Sequence, residues 1–123
     1  MRIFLDTSVL SHRSLSKLTS MLVDRVLSGD SFLVSVLTHF EILWGYRKAG
    51  LLATRYEAFL TKLGIDIAPL LQEDAVQAAS WKPSREKLVD ALIAATASRY
   101  EATVWTKDSD FLQFLPKERV TII

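Results

Sequence analysis

The sequence predicts an α/β protein, a three-layer α/β/α sandwich built on a central, mainly parallel sheet of about five strands. Two observations lead there. Short apolar runs of strand length alternate with longer segments of helical period. Helices therefore separate successive strands, which implies right-handed crossovers and a parallel sheet covered on both faces. A third observation gives the fold a use: acidic residues recur where the strands stop.

Strand length and composition mark Arg2–Leu5, Ser31–Ser35, Ile65–Ile67, Thr103–Trp105 and Val120–Ile122. Between them, Leu18, Met21, Leu22 and Val26 define one helical face, and Leu52, Tyr56, Phe59, Leu60 and Leu63 define another. Gly29 and Gly64 stand where C-terminal caps belong. The stretch Leu88–Ala97 is apolar on nearly all sides, so it is expected to be buried against the sheet and against a further surface, a second subunit being one candidate. No repeat, low-complexity tract or linker interrupts the chain, and residues 1–123 read as a single domain.

Composition narrows the function classes. The absence of cysteine excludes disulfides and thiolate zinc sites and fits a reducing compartment. The apolar opening is broken by Asp6, too soon for a secretory signal, and no apolar run approaches the roughly 18 residues of a membrane helix. A cytoplasmic protein without membrane partners is the expectation. The net charge is +1, from 15 basic and 14 acidic side chains. If five of those carboxylates share one site, the rest of the chain carries 15 basic against 9 acidic groups, a net of +6. A negative pocket in a positive shell suits a polyanion that meets a metal at one place. Scattered basic residues that only confer solubility account for the same count.

Those five are Asp6, Glu41, Asp90, Asp108 and Asp110. Parallel sheets bind ligands beyond the carboxyl ends of their strands, at the switch in strand order. Asp6 follows the first strand, Glu41 starts the helix after the second, and Asp108 follows the fourth, so three strand ends deliver carboxylates to one rim. Asp90 arrives from near the start of the apolar helix, where an ionised group needs a partner, such as a metal. Each residue also has a simpler reading. Asp6, Asp90 and Asp108 can be N-caps, Thr38 through Glu41 fits a capping box, and Asp110 suits a first helical turn. Capping explains each singly but does not require four strand or helix ends to meet.

Other polar and aromatic residues carry less. His12 and His39 lack a second histidine at ligand spacing, and His39 would point away from the face of Glu41, so surface or packing roles are expected. Trp44, Trp81 and Trp105 could stack on bases but fit a core or interface better. The basic run Lys82, Arg85 and Lys87 reads as a solvated loop able to touch phosphates.

Taken in order, these segments resemble the PIN-domain family and, within it, VapC-type toxins of toxin–antitoxin pairs. The resemblance rests on Ile3-Phe4-Leu5-Asp6-Thr7-Ser8, on Val34 through Glu41 with Gly45, on Asp90-Ala91-Leu92-Ile93-Ala94-Ala95-Thr96-Ala97, and on Val104 through Phe111. It implies a PIN-like fold in which Asp6, Glu41, Asp90 and Asp108 form an acidic site joined by Asp110. Thr7 or Ser8 and Thr106 would support the carboxylates or a water. It also implies a metal-dependent endoribonuclease that inhibits translation, an RNA substrate, a homodimer and a cognate antitoxin protein. The departure lies at Trp81 through Lys87, which replaces the glycine-containing approach frequent in the family.

Hard carboxylate oxygens suit Mg²⁺ or Mn²⁺ rather than zinc. Asp6, Asp90 and Asp108 are the expected metal ligands, with Glu41 and Asp110 acting through water. One metal would activate water for in-line attack at phosphorus, and a second about 4 Å away would stabilise the leaving oxygen. Crowded carboxylates without metal should in part titrate above their ordinary range. The alternative is a PIN-fold scaffold that keeps its acids for stability and cleaves nothing. A phosphotransfer receiver would need adjacent acids after the first strand, and a haloacid-dehalogenase-like phosphatase a second Asp where Ser8 stands.

Overall fold

The computed structural model describes residues 1–123, in which five strands form one fully parallel sheet. They are β1 (Arg2–Leu5), β2 (Ser31–Ser35), β3 (Asp66–Ala68), β4 (Thr103–Thr106) and β5 (Val120–Ile122), ordered β3-β2-β1-β4-β5. Strand order runs outward from β1 in both directions, so the carboxyl ends of β1 and β4 flank the switch point. The registers Leu5↔Trp105 and Phe4↔Leu33 align those ends with β2.

Side-chain alternation along the central strands divides the core. Ile3 and Leu5 of β1, Phe32 and Val34 of β2 and Trp105 of β4 face one layer, while Phe4, Leu33 and Val104 face the other. The first layer contains α1 (Leu15–Leu27), α2 (Val36–Lys48) and α3 (Thr54–Lys62), which bury Leu18, Leu22, Ile42, Tyr46, Tyr56 and Phe59 against it. The second contains α5 (Leu88–Arg99), packed through Ile93, Ala94 and Ala97. On its far side Ala91 and Ala95 meet Ala78 of α4 (Gln72–Ser80). That second burial explains why α5 is apolar nearly all round: the covering surface comes from the same chain. Its small residues let the helix approach both the sheet and α4 closely.

Local chemistry sets the helix ends. Ser35 closes β2 and caps α2 at once, its hydroxyl accepting from the Leu37 N–H at 3.1 Å, so no loop separates strand from helix. Helix α2 therefore begins at Val36, and Glu41 lies in its second turn rather than at its start. Thr38 and Glu41 do not form a capping box. Gly29 and Gly64 follow α1 and α3 with φ of 93° and 61°, the left-handed conformation expected of C-terminal caps. Helix α4 has no Ser or Thr cap and buries only alanine and one carboxylate, so the sequence carries little periodic signal for it.

That carboxylate is Asp74, 1% exposed. It accepts from the Leu71 N–H at 2.9 Å, from Thr96 Oγ1 at 3.1 Å, and from Arg99 Nε at 2.8 Å, tying α4 to α5. Burial alone pushes the Asp74 carboxyl up, but the bonds from Arg99, Leu71 and Thr96 outweigh it and hold the group below the ordinary carboxylate range. The aromatic residues divide. Trp105 is buried beside Phe32, Trp81 stacks on Phe114 at 5.5 Å, and Trp44 departs from a core role at 54% exposure. Both histidines pack on tyrosines: His39 Nδ1 lies 2.8 Å from the buried Tyr56 hydroxyl, and His12 Nδ1 lies 3.2 Å from that of Tyr46.

Asp74→Ala is expected to destabilise the protein by about 3 kcal/mol at neutral pH, because it strands a partly buried guanidinium and a helix N-terminal N–H. A carboxyl lowered by folding stabilises above its ordinary range and loses that contribution as pH falls through its folded value. The difference from wild type should therefore shrink in acid, a trend that urea unfolding at neutral and acidic pH would read directly.

Candidate functional site

At the carboxyl edge of the sheet, β1 is followed directly by Asp6, which is 5% exposed. Its backbone N–H still donates to the Trp105 carbonyl at 3.0 Å, so β4 holds it in strand register. Ser8 Oγ at 2.8 Å and Thr106 Oγ1 at 2.9 Å both donate to Asp6 Oδ2. Oδ1 accepts no bond from the chain, yet no buried side-chain oxygen is left unpartnered, so Oδ1 reaches solvent. One oxygen is thereby fixed by the protein and the other is available to a ligand.

The two hydroxyls are themselves oriented. Ser8 Oγ accepts from the Lys107 N–H and Thr106 Oγ1 from the Asp108 N–H, each at 2.9 Å. Backbone donors thus turn both hydroxyl protons toward Asp6. The turn after β1 follows from Asp6 as well, since its side chain caps the short 3-10 segment Thr7–Val9. Thr7 Oγ1 on that segment donates to Glu41 Oε1 at 2.8 Å and lies 3.3 Å from Thr38 Oγ1. Because Ser35 starts α2 without a loop, Thr38 and Glu41, three residues apart, present one face to this turn.

Asp108 follows β4 and caps the 3-10 segment Ser109–Gln113 by accepting from the Asp110 N–H at 2.9 Å. Asp90 lies in the first turn of α5, whose N-cap is Lys87, so Asp90 is not itself a cap. Its carboxyl is pushed above the ordinary range, first by burial and next by the charge of Asp6. Asp108 and Glu41 add to the rise and Lys87 opposes it. Asp90 therefore senses carboxylates from β1, α2 and the segment after β4.

Lys87 was expected on a solvated loop, but it occupies the site. Its ammonium lies 3.6 Å from Asp90 Oδ2, 3.6 Å from Asp108 Oδ2 and closest to Asp110 Oδ2. The hydrogen bond to Asp110 and the charges of Asp108, Asp110 and Asp90 hold it protonated well above the ordinary lysine range, against desolvation. A lysine three residues before a helical aspartate was the available sequence signal, since those positions share a helix face. Its partners Asp108 and Asp110 are far along the chain, which hid the rest.

No three acidic or histidine side chains converge tightly enough here to ligate an ion as they stand. Unscreened carboxylates repel, and they turn instead to hydroxyls, backbone N–H groups and Lys87. The donor set still fits a hard divalent cation: it is all oxygen, Asp6 offers a free Oδ1, and a cationic group already sits against Asp90 and Asp108. A surface depression of about 560 Å³ along α4, lined by Gln72, Glu73 and Gln77, lies on a different element and holds no comparable chemistry.

Residues 3–114 match the family model described as PIN domain. Among solved structures, the fold is similar to that of VapBC2 from Rickettsia felis bound to a DNA fragment from its promoter. That match has a TM-score of 0.76 and 17% identity, covering 99% of this chain and 98% of the other. VapBC-1 from nontypeable Haemophilus influenzae matches with a TM-score of 0.71 and 19% identity over 99% and 98% of the two chains. VapBC-5 from Mycobacterium tuberculosis, a member of a family of toxin–antitoxin systems, matches with a TM-score of 0.65 and 22% identity over 99% and 97%. At these identities the likeness is one of fold. No curated protein sequence matches the chain.

Two substitutions test the geometry. Thr106→Val keeps the shape of a fully buried side chain but removes the donor to Asp6 and the acceptor for Asp108, an expected loss of about 1–3 kcal/mol measurable by denaturant unfolding. The sign for Asp90 is opposite. A carboxyl raised by folding gives stability that is full below its ordinary range, near about pH 4, and lost as pH rises through the folded value. Asp90→Asn should therefore raise the metal-free melting temperature by a few degrees at neutral pH, with no gain in acid.

Proposed function

The chain belongs to the PIN domain family, and from that premise we propose that it is a metal-dependent endoribonuclease, the toxin of a toxin–antitoxin pair that inhibits translation by cleaving RNA. The observation that carries the proposal is the geometry beside the β1–β4 switch point: Lys87 bridges Asp90 and Asp108, and Thr106, which holds Asp6 Oδ2, accepts from the Asp108 N–H. Asp6, Asp90 and Asp108 would hold Mg²⁺ or Mn²⁺. When bound, the cation supplies Lewis acidity toward the phosphodiester and acidity to water.

The chain's own residues do the positioning. Ser8 and Thr106 hold Asp6 Oδ2, leaving Oδ1 for the cation. Thr7 holds Glu41 so that its carboxylate can accept a proton from water at the rim, and Asp110 extends the negative surface beyond Asp108. Such acids repel a bare phosphate backbone, so the cation is needed for RNA to approach as well as to react. The VapBC complexes among the similar structures support a cognate antitoxin as partner, and a second copy of the chain as dimer mate completes the proposed assembly. A groove lined by Leu10, Ile42, Tyr46 and Leu51, with Glu41 and His12 at its edge, offers an apolar seat for an antitoxin segment beside the acids.

The rival is a scaffold that cleaves nothing, favoured by one observation: the carboxylates do not converge to ligating distance and Lys87 already neutralises part of the site. Cleavage of total cellular RNA decides between them. The expected result is discrete fragments that require Mg²⁺ or Mn²⁺, disappear with a chelator, and are lost in Asp6→Asn and Asp90→Asn purified identically. Absence of both cleavage and metal binding would favour the scaffold. Co-expression with an adjacent antitoxin reading frame should relieve growth arrest if the toxin reading holds.

A further inference from the structure

Lys87 is the only Lys or Arg within ion-pair distance of any of the five site carboxylates. It touches Asp90 of α5 and, on the turn after β4, both the 3-10 cap Asp108 and Asp110 within that 3-10 segment. A helical surface pair would involve Asp90 alone. Contact with three carboxylates from two segments remote in sequence, α5 and the capped turn after β4, places the ammonium at the centre of their charge. It makes no contact with Asp6, whose Oδ2 is bonded instead to Ser8 and Thr106.

Two of the three carboxylates beneath Lys87 are among the three assigned above to a divalent cation. Mg²⁺ is held at about 2.1 Å from its oxygens, so an ion on Asp90 and Asp108 would crowd an ammonium that contacts the same pair. Like charges at such separations repel strongly in a partly buried site. The lysine stem is long and flexible, Lys87 ends the 3-10 turn Arg85–Lys87, and its side chain is 26% exposed, so it can swing away.

We propose that Lys87 is a tethered counter-ion that competes with the divalent cation for Asp90 and Asp108. It neutralises the site in the metal-free protein and raises the metal concentration at which the site fills. The inference rests on the metal-nuclease reading but concerns a residue outside the acid set. Charge neutralisation and metal competition are coupled: the contacts that stabilise the empty site are the ones the metal must break.

Mn²⁺ titration of the full chain by calorimetry tests this, with Lys87→Met, Lys87→Arg and Asp6→Asn beside wild type and with thermal melts of each in chelator and in Mn²⁺. Lys87→Met is expected to bind Mn²⁺ at least about tenfold more tightly, to melt lower in chelator, and to gain more from Mn²⁺ than wild type does. Lys87→Arg keeps the charge and should retain the weaker affinity, while Asp6→Asn should weaken binding and so assign the titration to this site. Affinity for Mn²⁺ within twofold of wild type in Lys87→Met, or Lys87→Arg binding as tightly as Lys87→Met, overturns the role of Lys87 while leaving a metal site standing. If wild type and every variant fail to bind Mn²⁺, both this inference and the metal-nuclease reading fall.

Discussion

A buried carboxyl group held just past the end of a strand that is itself buried on both faces sets the conditions for everything near it. Asp6 follows Ile3, Phe4 and Leu5, each no more than 1% exposed, and is itself 5% exposed. Such a group is tolerated only when its oxygens find donors. Ser8 and Thr106 provide them, and both hydroxyls are oriented by backbone N–H groups from the segment after β4. The connection between the carboxyl ends of β1 and β4 is therefore made by this carboxylate as well as by ladder bonds. A change at Asp6 reaches Lys107 and Asp108 through two hydroxyls.

The second condition is repulsion among the acids drawn to the same edge. Glu41 is satisfied by Thr7, Asp108 by its capping role and by Lys87, and Asp110 by Lys87. Asp90 has only the Lys87 contact, and its carboxyl is pushed up first by burial and next by the charge of Asp6. A site held this way is preorganised in its supports and strained in its charge. That combination favours entry of a cation, because the carboxylates are already near one another and gain most from what neutralises them.

Helix α5 delivers Asp90 to that edge and depends on a packing arrangement of its own. Alanine at 91, 94, 95 and 97 lets it lie close to both the sheet and α4, and the Asp74–Arg99 pair closes the outer side. The buried ion pair orients α4 across α5 and thereby steadies the helix whose first turn carries Asp90. Stability and site geometry are linked through this helix.

The order of the five strands along the chain, the capping glycines after α1 and α3, and Asp6, Asp90 and Asp108 beside strand or helix ends were readable from residue order. They depend on periodicity and on local steric rules, which are properties of neighbouring residues. Tertiary structure alone decided the rest. Helix α4 is stabilised by alanine contacts and by a carboxylate whose partners Thr96 and Arg99 lie 22 and 25 residues away. Lys87 meets Asp108 and Asp110 only because α5 packs beside β4 and the 3-10 segment that follows it. Which oxygen of Asp6 stays free is settled by Thr106, 100 residues distant. Charge balance and hydrogen-bond assignment at a site depend on distances between segments remote in sequence, and those distances exist only once the layers have packed.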